Sequence, residues 1–343
     1  MSLEKTKLAA RRTSVSRLAA FCFLPTAFSP YSFPPIPDPS IMFATMSMSE
    51  PKWLRDGQGR PPTLRWVFAL EAPLVAMDTG RESGELLAAD ETGGLYRIDR
   101  RGELLTVSRG LRGVRAVAWS DTNAAGAVIA GERKVFRLNG NLEAEWSVGL
   151  PEPALGVAVT PYGRQTAISL ANGGNLVLGE QSEQLSIFET ARPLKWIQFL
   201  AAEPILIGAA EFVQVCAHKV NGERLWSEKC FTSLGEMCAA DDGETILLAG
   251  FNQGLLSLDS RGETGDSFLV EGTVCRVSCS CDAERIAAAT MERQLYWLDS
   301  DGQLLWATEV DEEIVRVICD PLGEWLLVGF KSGHIMRLDW DSK

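Results

Sequence analysis

The chain has 343 residues, 46% of them hydrophobic and 23% charged, with a formal net charge of −12. That composition belongs to a globular protein with a full core. Its acidity excludes broad nucleic-acid binding, which needs a basic surface that the sequence nowhere collects. No apolar run reaches the roughly 18 residues that span a bilayer, so no transmembrane segment is expected.

The first fifty residues differ from the rest. Lys5, Lys7, Arg11, Arg12 and Arg17 precede a short apolar run from Leu18 to Phe28, broken by Pro25, and Pro30, Pro34, Pro35, Pro37 and Pro39 follow. A basic start before an apolar stretch is the outline of an export signal, but this run is short and lacks a small-x-small cleavage site. Residues 1–57 are therefore expected to be a disordered or dispensable extension, with Met46 or Met48 as an alternative start, or else a leader. Residues 58–343 are expected to form one folded domain. Residues 51–343 carry 28 Lys/Arg against 42 Asp/Glu, a net −14.

Beyond this extension the chain reads as short alternating strands separated by polar turns. A first unit runs from about Leu74 through 85–89 and 94–99 to 102–105, and a second from Val114 through 127–131 and 135–138 to Trp146. A weaker third has 156–159, 166–169 and 175–178, and a fourth has 196–199, 205–208, 213–216 and 222–226. The last three are the clearest, because Leu234, Val274 and Ile314 each open the same pattern one step of 40 apart. Segments 246–250, 286–290 and 326–330 superpose without gaps, as do Leu258-Asp259, Leu298-Asp299 and Leu338-Asp339. A period of about 40 residues with several short strands marks a β-propeller blade, and the count is seven. The seventh unit ends where its fourth strand is due. The Leu64…Trp66 pattern of 63–70, ahead of unit one, supplies that strand. The expected fold is all-β: a seven-bladed propeller of four-stranded antiparallel blades, closed by the N-terminal strand. Trp66, Trp146, Trp226 and Trp306 recur at fourth-strand positions and are expected to pack over the adjoining blade.

The string Leu298-Asp299, Gly302, Leu304-Leu305-Trp306 resembles the repeat of quinoprotein-like propellers, and the unit as a whole resembles the WD-repeat superfamily. The resemblance covers about residues 60–343 and concerns the fold. A WD-repeat chain implies Gly-His near each blade start and Trp-Asp at the third strand. Here there are two His in all, and Trp340-Asp341 is out of register. The quinone-dependent enzymes of similar fold imply a calcium loop, a catalytic Asp and a vicinal Cys pair, and no adjacent cysteines or spaced calcium loop occur. No cofactor and no metal are therefore expected.

Other chemistry is sparse. Cys216, Cys230, Cys238, Cys275, Cys279, Cys281 and Cys319 fall mostly on strands of the last four units and read as small packing residues kept reduced. On a regular strand Cys275, Cys279 and Cys281 would share one side with Val277. His218 and His334 lie in different units and read as surface or partly satisfied groups. Asp241-Asp242 and Asp311-Glu312-Glu313 read as solvated turns. No nucleophile motif or phosphate loop is present; a hydrolase or lyase site assembled from acids on several blades is the enzymatic alternative.

Binding can be placed more concretely. Loops between second and third strands share one face of a propeller with those leading into each innermost strand. The former carry Phe212, Phe251, Met291 and Phe330, expected to be exposed apolar tips. The latter carry Trp196, Glu236, Arg276 and Arg316 at matching positions, expected to ring the channel mouth. The two arginines can grip a carboxylate or pair with neighbouring acids. The expected function is a non-catalytic, monomeric, cytoplasmic scaffold for a protein or peptide partner, with no nucleic acid. The alternative is an exported quinoprotein-like propeller that binds a small ligand or aids envelope protein assembly.

Overall fold

The computed structural model describes residues 50–340. Seven four-stranded antiparallel blades follow one another along the chain. Their innermost strands begin at Leu74, Val114, Ala154, Leu194, Leu234, Val274 and Ile314. The step of 40 thus runs unbroken through all seven, including the third unit, whose sequence shows it least. Blades four and five are joined in one seven-stranded sheet, because the strand Arg224–Ala239 is continuous from the outer edge of one to the inner edge of the next. The second and third strands are almost wholly buried, with runs such as Leu86–Asp90 and Ile246–Gly250 closed to solvent on both faces. Such strands read as continuous apolar segments because neighbouring blades cover both sides.

Two irregularities recur in every blade. The innermost strand slips register two residues in, between Leu74 and Ala76, Val114 and Ala116, and at each equivalent place to Ile314 and Arg316. A second slip lies where the outer strand meets the third, as at Leu64/Trp66 and Ala144/Trp146. A bulge adds twist and re-aims the side chains beside it. The first bulge also breaks the regular alternation expected after Cys275: Val277 and Cys279 are buried, whereas Cys275 is half-buried and Cys281 sits in the turn beyond the strand. All seven cysteines among the described residues are free thiols.

The ring closes as the sequence implies. Thr63–Ala69 pairs antiparallel with His334–Asp339, opposing Val67 to Met336 and Phe68 to Ile335. Phe68 then meets Tyr96 of blade one edge-on at 6.2 Å, inside a cluster that mixes Ile318, Leu327 and Ile335 with Leu86, Ala88 and Ile98.

The recurrent tryptophans bind blade to blade by one rule. Trp66, Trp146 and Trp226 each donate their indole N–H to a carbonyl 34 residues on, Arg100, Glu180 and Ser260, at 3.0, 2.7 and 2.8 Å. The acceptor lies in the turn between the third and fourth strands of the next blade. In blades one and five that turn is capped by the aspartate that follows the third strand: Asp99 takes the N–H of Arg101 and Glu103, and Asp259 that of Arg261 and Glu263. Gly102 and Gly262 adopt positive φ there, and a Cβ on either would strike the Trp66 or Trp226 ring at 2.7 or 2.6 Å.

Trp306 departs from this rule. Its Nε1 has no partner, and its ring is covered instead by the segment ahead of the closing strand. The helix Lys52–Asp56 buries Trp53 and Leu54, and Gln58–Gly59 adds a fifth strand to blade six. Trp53 lies 6.5 Å from Trp306, and Trp340 stacks on Trp297 at 4.5 Å. Most of the expected extension of 1–57 lies outside the described residues. Its last segment does not, and is packed into the fold because two large apolar side chains at 53 and 54 find a ready surface there.

Two stability tests follow from this packing. Removing residues 1–45 is expected to leave the melting temperature unchanged, removing 1–57 to lower it, and removing 1–70 to lower it further or prevent folding; equal melts for all three would contradict the closure. In urea melts, Gly131→Ala, at positive φ with nothing within 4 Å, is expected to cost about 1 kcal/mol of backbone strain. Gly102→Ala and Gly262→Ala are expected to cost more, because each also displaces a tryptophan.

Candidate functional site

The bulge in each innermost strand turns one residue per blade toward the axis. Around the ring these are Ala76, Ala116, Gly156, Trp196, Glu236, Arg276 and Arg316, and all seven line a central channel of about 500 Å³. Two residues deeper lies a second layer, in which Asp78, Gln198, Cys238 and Ser278 carry the polar groups. Several of these groups bond the backbone of the next blade. Asp78 accepts the Trp119 N–H at 2.8 Å, Ser278 accepts that of Cys319 at 3.0 Å, and Gln198 both accepts the N–H of Ala239 and donates to its carbonyl, at 3.0 and 2.9 Å. Glu236 does the same from the upper layer, accepting the Val277 N–H at 2.9 Å. The channel wall is a belt of side chain to backbone bonds.

Charge is concentrated on one side of that belt. Glu236 and Arg316 form an ion pair, with the glutamate side chain 4% exposed and the arginine 35%. Burial pushes the Asp78 carboxyl up, against the pull of the nearby Arg316 guanidinium. Burial likewise lowers the Arg316 pKa, which Asp78 opposes. The Nε of Arg316 is buried without an acceptor. Arg276 differs from both: its Nε and Nη1 donate to the carbonyls of Val315 and Cys275 at 2.5 and 2.8 Å, and no carboxylate among the described residues pairs with it.

The structure brings Trp196, Glu236, Arg276 and Arg316 together at the channel, where Arg316 pairs with Glu236. Phe212 and Met291 are exposed at 49% and 64%. Phe251 is half-buried, its N–H bonded to the Ser233 carbonyl at 3.0 Å and its ring against Gly235. Phe330 is not an exposed tip. It is 2% exposed, because it ends the second strand of blade seven pointing inward, with Trp53 6.2 Å above it. His218 is also corrected: it is buried, stacked on Phe188 at 4.5 Å, rather than at the surface.

Two residues that pattern reading passed over complete the face. Phe231 and Leu269 are 74% and 95% exposed, on the segments leading into the innermost strands of blades five and six. With Phe212, Phe251 and Met291 they form an apolar arc over blades four to six, on the end of the ring where Arg276 opens. Their signal in the sequence was position alone, a few residues ahead of Leu234 and Val274.

The other end of the channel is crossed by an ion pair between Arg81 of blade one and Asp241 of blade five. A second cavity of about 550 Å³ lies on that face at the closing seam, lined by Arg65, Arg81, Arg100, Arg101 and Arg337. Arg65 and Arg337 both pair with Asp339 there. Among the described residues no cluster of three or more His, Cys, Asp or Glu is arranged to hold a metal ion, and no helix is long and apolar enough to cross a membrane.

No family model matches the chain, and no curated protein matches it. Among solved structures it is similar to the beta-propeller domain of Cps50 (Swd1) from Myceliophteria thermophila, with a TM-score of 0.69 and 16% identity over 82% of this chain and 100% of that one. At that identity the likeness is one of fold alone, a β-propeller.

Burial holds the His218 imidazole at a pKa of about 4, below its ordinary 6.5. The neutral ring is therefore favoured in the fold, and the stability it confers, present above pH 6.5, is lost as pH falls toward 4. Denaturant melts across that window are expected to show acid destabilisation that His218→Phe, which keeps the stack on Phe188, reduces. An unchanged pH profile would contradict this assignment.

Proposed function

We propose that the chain is a non-catalytic scaffold that binds a protein partner through the upper face of blades four to six and the channel mouth. The observation that carries this reading is the apolar arc of the exposed Phe212, Phe231, Leu269 and Met291 with the half-buried Phe251, gathered on one end of three consecutive blades. Scattered apolar side chains need no explanation on a surface of this size, whereas a contiguous set rimmed by charge marks an interaction surface. Charged groups lie beside the arc: the Lys195–Glu211 ion pair of blade four, Glu292 bonded to Thr273 in blade six, and Arg276 in the channel wall. The β-propeller fold is consistent with such a role, since it presents loops from many blades on one rigid face.

The partner expected here offers apolar side chains to the arc and an acidic group to Arg276, the rim cation with no carboxylate of its own. Large exposed rings and aliphatic chains at the centre of such a surface carry most of the binding energy, about 2 kcal/mol or more for each principal anchor. Affinity purification with tagged full-length chain, quantified by mass spectrometry, tests this. The double variant Phe231→Glu/Leu269→Glu is expected to lose at least nine-tenths of a partner that the wild type recovers, with an unchanged melt, a loss of the order that one anchor carries. Leu322→Glu, 74% exposed on the opposite face, is expected to retain it. Equal recovery by all three proteins would remove this face as the docking surface.

A further inference from the structure

We propose that the channel mouth is a slot for a carboxylate that carries an adjacent apolar group, with Arg276 taking the carboxylate and the space over Ala76, Ala116 and Gly156 taking the apolar group. The ligand class is thus the C-terminal residue of a peptide, or a free carboxylic acid of the same shape. This inference rests on the reading of that end of the ring as a binding face and names what its centre recognises.

The first support is the asymmetry of the upper layer. Blades one to three contribute Ala, Ala and Gly, whereas blades four to seven contribute Trp, Glu, Arg and Arg. In the second layer Ala118 and Ala158 lie beneath Ala116 and Gly156, and Asp78 beneath Ala76. Consecutive small side chains on one side of a ring of equivalent strands leave their unused volume together. The channel that these blades share with the other four, about 500 Å³ in all, lies within the range, roughly 300–1,000 Å³, of pockets that hold small ligands. Its walls are apolar at Ala116, Ala118, Gly156 and Ala158 of blades two and three and at Trp196, which is half-buried at the edge of the blade-four core.

The second support is the state of the charges. The upper layer holds two guanidiniums and one carboxylate. Glu236 is fully committed, to Arg316 through one oxygen and to the Val277 N–H through the other. Arg276 is left with main-chain carbonyls alone, and Arg316 keeps a buried Nε–H without an acceptor. Burying a donor without a partner is costly, and an arginine offered to a carboxylate forms the stronger, charge-assisted kind of bond. The nearby acids also select the anion. Asp78 and Glu236 face the same cavity, so a doubly charged phosphate meets about twice the repulsion that a singly charged carboxylate does. Gly156 has a packing reason to be small, since a Cβ there would lie 2.8 Å from the Lys195 carbonyl oxygen. Ala116 is therefore the cleaner position at which to fill the slot.

Isothermal titration of the full-length chain tests the proposal with acetylated Gly-Gly-Ala-Leu and Gly-Gly-Ala-Phe tetrapeptides as free acids, the same peptides as C-terminal amides, and N-acetyl-leucine. The free acids are expected to bind, with the amides at least tenfold weaker, as loss of one charge-assisted contact implies. Arg276→Gln is expected to bring the acids down to the affinity of the amides. Ala116→Phe is expected to weaken acid binding at least tenfold by occupying the slot, and does so without touching the charge network. Both variants are checked for an unchanged melt, and either one alone decides the matter if the other fails to fold. Acids bound more tightly than N-acetyl-leucine assign the ligand to a peptide tail, and equal affinities assign it to a free acid; both support the slot. Equal binding of acids and amides, unchanged acid binding in the variants, or no heat from any acid at millimolar concentration would overturn it. If no acid binds while Phe231→Glu/Leu269→Glu still loses a protein partner that the wild type recovers, the scaffold reading stands and the slot falls.

Discussion

The pairing of Thr63–Ala69 with His334–Asp339 is the contact on which the other features depend, because it joins the two ends of the chain into one ring. A row of blades without it would expose a strand edge on blade seven and bare apolar faces on blades seven and one, surfaces that drive aggregation. The closing strand does more than cover them. It carries Phe68 into the core shared by those two blades and Trp66 onto the turn of blade one that bears Gly102. The seam also runs between Arg316, on blade seven, and Asp78, on blade one, each of which moderates the other's burial. The charge pattern of the channel therefore exists only in the closed ring.

Rigidity at that channel has an identifiable source. Asp78, Gln198, Glu236 and Ser278 each bond the backbone of the following blade, so their geometry is set by the ring and not by solvent. Buried ion pairs seldom add stability, because desolvation offsets the attraction between the charges. Glu236–Arg316 is better understood as fixing where the remaining donors point. Arg276, anchored by two carbonyls, presents its guanidinium from a wall that cannot relax around it. Preorganisation of this kind gives a surface selectivity, since an ill-matched partner leaves buried groups unpaired.

The architecture was legible because repetition in sequence translates directly into repetition of strands. Leu234, Val274 and Ile314 gave the step, and Trp66, placed ahead of the first unit, gave the closure. Local pattern says less about what covers a side chain from outside its own unit. Phe330 lies at the end of a strand where an exposed tip was expected, yet Trp53, more than two hundred residues away in sequence, sits over it. Trp53 and Leu54 follow a proline-rich stretch and carry no strand periodicity, so nothing local marked them as core. Phe231 and Leu269 were passed over for the converse reason: they lie on the links between blades, one inside the continuous strand Arg224–Ala239 and one just past Thr264–Phe268, where exposure follows from the course of the backbone. Trp196, Glu236, Arg276 and Arg316 were legible as a set because equivalent positions in a ring must converge on its axis. Which of them are paired depends on reach across the channel, which spacing does not encode.

Hydrogen exchange at the closing strand tests the ring most directly. Peptides covering Thr63–Ala69 and His334–Asp339, followed by mass spectrometry in native buffer, report whether the two strands open together. In a closed ring the Thr63–Ala69 amides that face His334–Asp339 are protected and exchange only as slowly as the fold opens as a whole, while the outward-facing amides of this edge strand exchange freely. Exchange of every Thr63–Ala69 amide within seconds, while His334–Asp339 stays protected, would contradict the closure and the channel geometry built on it.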